Sequence, residues 1–355
     1  MSYEISVGRS PDGSDTPSAE RHSSKRVEWV DVAKGVCIAL VVVLHTVNFM
    51  VTRQQAETWW FGVNAVLEPV RMPLFFLVAG LFAAKDLDLS WKCLWRKRIA
   101  TLLYLYVLWM LLRFALFSWF PQISGTNEAS SAVNLLTGLF DPASGLWFLY
   151  ALVVYVCVAR LTRRVDPRLQ VLFAGITSVA GPSLVADVSW TWVKIVSFLI
   201  FFLIGMHFRA LALGVAKATS TWSAVLWPVG FVSMYYLAPL SPWPARSSVV
   251  ETAISVVGVV TGIVVCARSQ RWRLSVPLRR LGSLSLPVYL LHEIVLGTIV
   301  TAGMASGMEL KQFWVAPLLV TAVVLALSVV IGSSVQNRTC LFRLPRPWRA
   351  PRALV

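Results

Sequence analysis

Charge is scarce in this chain: only 14% of its 355 residues are Asp, Glu, Lys or Arg. Its mean hydropathy is +0.69. Soluble domains carry roughly 25% charged residues, so an ordinary soluble fold is excluded. Cysteine is also sparse. Cys37, Cys93, Cys157, Cys266 and Cys340 show no metal-like pair spacing and fall within apolar runs or beside basic loops. That pattern argues against disulfides and against a zinc site. Acidic residues number 17 against 32 Lys and Arg. The excess cations come in short runs between apolar segments, not in a basic domain interleaved with aromatics, so nucleic acid is not an expected partner.

What the chain has in quantity is apolar sequence, 57% of all residues. Apolar runs lie near 29-51, 62-84, 99-120, 146-161, 169-186, 192-207, 222-239, 249-267, 283-302 and 314-334. A helix of about 20 residues crosses some 30 Å of hydrocarbon, so these runs predict an all-α membrane bundle of about ten transmembrane helices. The first run is too long for a signal-peptide core and is expected to stay in the mature protein. With ten spans, the stretches on one side hold 25 Lys and Arg, whereas the other side holds only Arg53, Arg71, Arg246 and Lys311. The bias predicts that both termini are cytoplasmic.

Three regions follow. Residues 1-25, rich in Ser, Gly, Asp and Glu, read as a disordered cytoplasmic tail; 26-335 as the membrane domain; 336-355 as a basic cytoplasmic tail. The longest external segment, 121-145, is long enough to cover an opening on the outer face. Trp59, Trp60, Trp119, Trp147, Trp190, Trp192 and Trp243 fit an interfacial aromatic belt.

A charge at the centre of a spanning helix costs roughly 2.5 to 3.5 kcal/mol, so each exception needs a reason. The first run carries Asp31, Lys34 and His45. At about 100° per residue, the step from Lys34 to His45 returns to within roughly 20° of the same face and climbs about 16 Å. Asp31 lies one turn before Lys34 and is placed to pair with it. Imidazole can take a proton from a hydroxyl and return it near neutral pH. The ninth run adds His292 and Glu293, about 100° apart around a helix, so only one of them is expected to face the same cleft squarely. Arg113 and Lys194 read as ordinary ion pairing or snorkelling, and Arg71, beside Pro69 and Pro73, as an arginine at the outer membrane face.

Four segments, in order, carry a resemblance. They are Trp29-Val30-Asp31-Val32-Ala33-Lys34-Gly35 leading to Val43-Leu44-His45; Arg71-Met72-Pro73-Leu74-Phe75-Phe76-Leu77-Val78-Ala79-Gly80; Leu146-Trp147-Phe148-Leu149-Tyr150; and Ser285-Leu286-Pro287-Val288-Tyr289-Leu290-Leu291-His292. Together they resemble the bacterial membrane acyltransferases of acyltransferase family three, which O-acylate surface polysaccharides, lipid-linked sugars and related acceptors. The basic residue, ten intervening positions and histidine of that family match Lys34 and His45. Two departures stand out: Ala79 where the family often has serine, and Thr101 where a second arginine would follow Arg98.

The resemblance implies an enzyme of the bacterial inner membrane that moves an acetyl or other short acyl group from cytoplasmic acyl-CoA to a hydroxyl of a glycan or related acceptor. No bound cofactor or metal is implied; acyl-CoA is a substrate. His45, with Lys34 and Asp31, is then the catalytic set. Arg71, Trp147, Tyr289, His292, Glu293 and Arg98 are candidates for substrate binding. His45 either deprotonates the acceptor or briefly carries the acyl group. Buried His, Glu, Lys and Arg also suit a proton-coupled exporter, the rival class.

Overall fold

The computed structural model describes residues 27-124, 132-142, 145-187, 189-238, 248-273, 275-336 and 340-345. Each of the ten apolar runs is a helix. They are numbered α1 (Glu28–Thr52), α2 (Trp60–Ala83), α3 (Trp91–Trp119), α4 (Trp147–Leu161), α5 (Pro167–Val185), α6 (Trp190–His207), α7 (Thr221–Leu237), α8 (Ser248–Ser269), α9 (Ser285–Ala305) and α10 (Ala316–Val335). Eight are long and apolar enough to cross a membrane, and no strand occurs among the described residues. The two outside that set are α4, with 15 residues, and α7, with 17. The tail at 1-25, Trp243 and the last ten residues lie outside the described residues.

α1 is the central post, touching α2, α8, α9, α10 and the short helix Ser275–Ser283. The crossing of α2 and α6 brings backbones together because glycine stands at two contacts. Gly80 of α2 lies on the Phe202 carbonyl of α6, while Gly205 of α6 lies on the Leu77 carbonyl of α2. Small residues allow this approach in lipid, where packing and not the exclusion of water holds helices together. Large apolar side chains such as Leu172, Phe173, Val229, Leu319 and Val330 stay exposed on the outside of the bundle, as a lipid-facing surface requires.

α3 packs along α4, and two connecting segments bond to its side chains. Tyr106 donates its hydroxyl to the Gly138 carbonyl in the 121-145 segment. Tyr104 and Trp109 donate to the carbonyls of Cys340 and Leu341, and Phe342 lies buried against the Trp109 ring. Within the stretch read from sequence as tail, Phe342 and Leu344 are buried, while Cys340 and Arg343 stay exposed.

Arg71 is placed differently from the interfacial position its sequence suggested. It is fully buried, and its Nη1 donates to the Leu40 carbonyl at 3.4 Å. It lies halfway along α2, which has begun at Trp60, so the helix carries it inside the bundle. Trp60 likewise is buried, donating to the Trp314 carbonyl at 3.2 Å, whereas Trp119 and Trp190 remain exposed in the manner of a belt.

Candidate active site

Past the midpoint of α1, the His45 ring meets α9. Its Nδ1 is 3.4 Å from Glu293 Oε1, and its ring stands edge-on to His292 with centroids 5.0 Å apart. Both residues of the adjacent pair thus reach His45, although one was expected to turn away. Glu293 approaches through its carboxylate and His292 through its ring edge, and the longer carboxylate arm makes up the angular difference.

The other Glu293 oxygen is held by the Arg113 guanidinium from α3. Arg113 is therefore ion-paired, as its sequence position suggested, but with the carboxylate that faces His45. Gly145, just before α4, leaves room for that carboxylate, since a Cβ there would collide with it. Tyr289 fixes the same corner by donating its hydroxyl to the Gly145 carbonyl at 2.5 Å. α4 is short because it starts inside the bundle at this contact.

The two histidines differ in access. The His45 side chain is 26% exposed and lines a cavity of about 40 Å³, whereas His292 is 1% exposed. Nδ1 of His292 lies 2.7 Å from the Tyr289 carbonyl, which fixes the proton on that nitrogen and leaves Nε2 as an acceptor. That Nε2 and Glu293 Oε1 are both buried without a hydrogen-bond partner. Ligand atoms of His45, His292 and Glu293 come within 4.8 Å of one another, a spacing that could hold a metal ion. The guanidinium already balances the single carboxylate, so a divalent ion would add two uncompensated positive charges to a buried site. The set suits proton handling better.

On the far side of His45 the cavity is lined by Glu68, Arg71 and Lys194, with Phe75, Trp147, Phe148, Phe198 and Tyr289 as its aromatic walls. Lys194 reaches over Trp147 at 5.8 Å and Trp190 at 5.4 Å. Neither Arg71 nor Lys194 makes an ion pair among the described residues, and Arg71 Nε is buried without a partner. Sequence reasoning did not single out Glu68, and it read Lys194 as ordinary ion pairing or snorkelling. Their only signal was a charge inside an apolar run, which snorkelling explains equally well.

The remaining candidates lie apart from this centre. Asp31 and Lys34 pair with each other at 3.7 Å near the start of α1. Arg98 bonds Asp86 at 2.5 Å and also donates to the Phe82 carbonyl, while Lys97 lies 3.1 Å from the same carboxylate.

Comparison with known proteins bears on this arrangement. A family described as an acyltransferase domain, the third of that name, matches residues 27–333. The chain belongs to acyltransferase family three. It is also similar to the inner membrane protein YcfT of Escherichia coli (strain K12), 25% identical over 287 residues that span 75% of this chain and 79% of YcfT. No solved structure matches it. Between the two classes weighed from sequence, the family decides for an acyltransferase over an exporter. With its apolar helices and an inner-membrane relative, this family member is a multi-pass protein of the bacterial inner membrane.

Proposed function

We propose that this acyltransferase moves an acetyl or other short acyl group from cytoplasmic acyl-CoA to a hydroxyl of a glycan or related acceptor, with His45 as the catalytic group. The observation that carries the reading is the line from Arg113 to Glu293 to His45, ending at an imidazole open to a cavity. A carboxylate 3.4 Å from Nδ1 favours a proton on that nitrogen and leaves Nε2 to accept one. It also balances the charge the ring gains in doing so.

In the direct route, Nε2 takes the acceptor's hydroxyl proton as the oxygen attacks the thioester carbonyl. The C–S bond breaks, and the departing thiolate takes the proton from the imidazolium to give free CoA thiol. In the covalent route the imidazole attacks the thioester first, and the acceptor then displaces it from the acyl-imidazole. The products are the same.

Lysine and arginine bias puts both termini in the cytoplasm, so α1 runs outward and the Lys34 end faces the donor. The basic residues at that level, Lys92, Arg96, Lys97 and Arg98, suit the phosphates of CoA. Asp31 holds Lys34 in place, and Arg71, Trp147 and Tyr289 line the acceptor side. The cavity has room for a few water molecules and not a sugar ring, so it must widen as the acceptor enters.

Replacing His45 with Ala is expected to reduce CoA thiol release from acetyl-CoA by about a hundredfold or more in purified protein that still folds. Undiminished release would remove His45 from the chemistry. Incubating the wild type with labelled acetyl-CoA and no acceptor separates the routes, because only the covalent one leaves label on the protein.

A further inference from the structure

The charges facing the cavity do not balance. Arg113 and Glu293 neutralise each other behind His45. On the opposite wall Arg71 and Lys194 bring two positive charges against the single carboxylate of Glu68. The Arg71 guanidinium is fully buried, with Nε unpartnered. A surplus cation inside a membrane bundle is costly unless an anion meets it, and no side chain among the described residues supplies that anion. The rest of the lining is aromatic: Phe75, Trp147 and Phe148 offer flat apolar faces beside the two cations. Apolar walls with a few convergent polar groups are the usual form of a small-molecule site.

We infer that the acceptor is an acidic sugar, bound with its carboxylate or phosphate between Arg71 and Lys194 and its ring against the aromatic wall, so that a hydroxyl lies at His45. The inference rests on the acyltransfer reading and deepens it, naming the substrate class that the acceptor side takes. Arg71 is suited to a two-toothed grip on a carboxylate or phosphate, and Lys194 supplies a point charge held in place by Trp147 and Trp190. Glu68, one turn before Arg71, leaves a single net positive charge, so a monoanion is matched better than a dianion.

The test uses the full-length protein purified in uncharged detergent at fixed ionic strength. With no acyl donor present, thermal unfolding is followed while glucuronate, glucose 1-phosphate or methyl glucoside is added. The two anionic sugars are expected to raise the midpoint at concentrations at least tenfold below that needed for methyl glucoside. Lys194→Gln removes this preference, and Lys194→Arg keeps it. Equal responses to all three sugars, no response to any, or a preference that survives Lys194→Gln and Arg71→Gln alike would overturn the inference. So would a midpoint raised by phosphatidylglycerol that glucuronate cannot compete away, which would make the anion a lipid headgroup.

A second arm adds acetyl-CoA and measures free thiol. Anionic sugars that bind yet release no thiol leave the site standing and remove the transfer reading. Thiol release as fast with methyl glucoside as with glucuronate does the reverse. A Lys194→Gln variant that loses only its use of succinyl-CoA would assign the anion to the donor and also end the proposal.

Discussion

α1 handles charge in two ways along its length. Near its start, Lys34 finds Asp31 one turn away at 3.7 Å and rests its ammonium 3.9 Å over the Phe82 ring. Past its midpoint, His45 meets its partners on other helices: Glu293 and His292 on α9, backed by Arg113 on α3. The lower pair keeps some contact with the surroundings, with the Lys34 side chain 24% exposed, whereas Arg113 has almost none at 2%. A pair that a helix makes with itself is local and weakly coupled. A pair assembled from three helices is buried, and removing one member takes from the other its opposite charge where water screens it least.

The sharpest way to break this contrast is Glu293→Gln. It takes from the buried Arg113 guanidinium the carboxylate that neutralises it, and breaking a buried pair in this way costs about 3 to 5 kcal/mol. A large fall in the unfolding midpoint of the purified protein is expected, together with loss of thiol release. A midpoint equal to wild type would mean that the Arg113 charge does not depend on Glu293 for its place in the bundle. Removing both charges, with Arg113→Met alongside Glu293→Gln, is expected to restore most of the stability. Thiol release stays lost, because nothing then balances the protonated His45 ring. Recovery of both together would reduce the carboxylate to a packing role.

This difference also explains what could be read before the fold was known. The ten helices, the Lys34–Asp31 pair and the shared face of Lys34 and His45 all follow from periodicity within one segment. The meeting of His45 with Glu293 does not, since it depends on α9 lying beside α1. Arg113 was visible only as a charge in an apolar run, and its pairing with Glu293 needed the third helix to be placed. Arg71 was read as interfacial because Pro69 and Pro73 suggested a helix start there; the helix begins earlier, at Trp60, and both prolines lie inside it. Prolines within a span are tolerated where neighbouring helices meet the freed backbone groups, so they mark a boundary poorly in membrane proteins.

A smaller effect sharpens the lower end of the same helix. About 16 Å separates Lys34 from His45 along α1, too far for Lys34 to touch a hydroxyl under attack. Lys34→Met should therefore raise KM for acetyl-CoA several-fold while kcat stays within about twofold of wild type, the pattern of lost uniform binding. A collapse of kcat like that of His45→Ala would draw Lys34 into the centre and abolish the distinction between the two ends.

The smallest effect belongs to Arg98. Its side chain is 39% exposed and shares the buried Asp86 carboxylate with Lys97, which stays 3.1 Å away when Arg98 is removed. Arg98→Ala therefore leaves no buried charge unpaired, and half-exposed pairs contribute about 0 to 1 kcal/mol. An unfolding midpoint almost unchanged in Arg98→Ala, beside a clear drop in an Arg98→Ala, Lys97→Ala double variant, is the expected result. The reason is the one that separates His45 from Lys34: the penalty follows the charge left behind in the bundle, here Asp86, more than the charge taken away. A large loss from Arg98→Ala alone would show that its bond to the Phe82 carbonyl at 3.1 Å ties the end of α2 to α3, and that the rim is as tightly coupled as the centre.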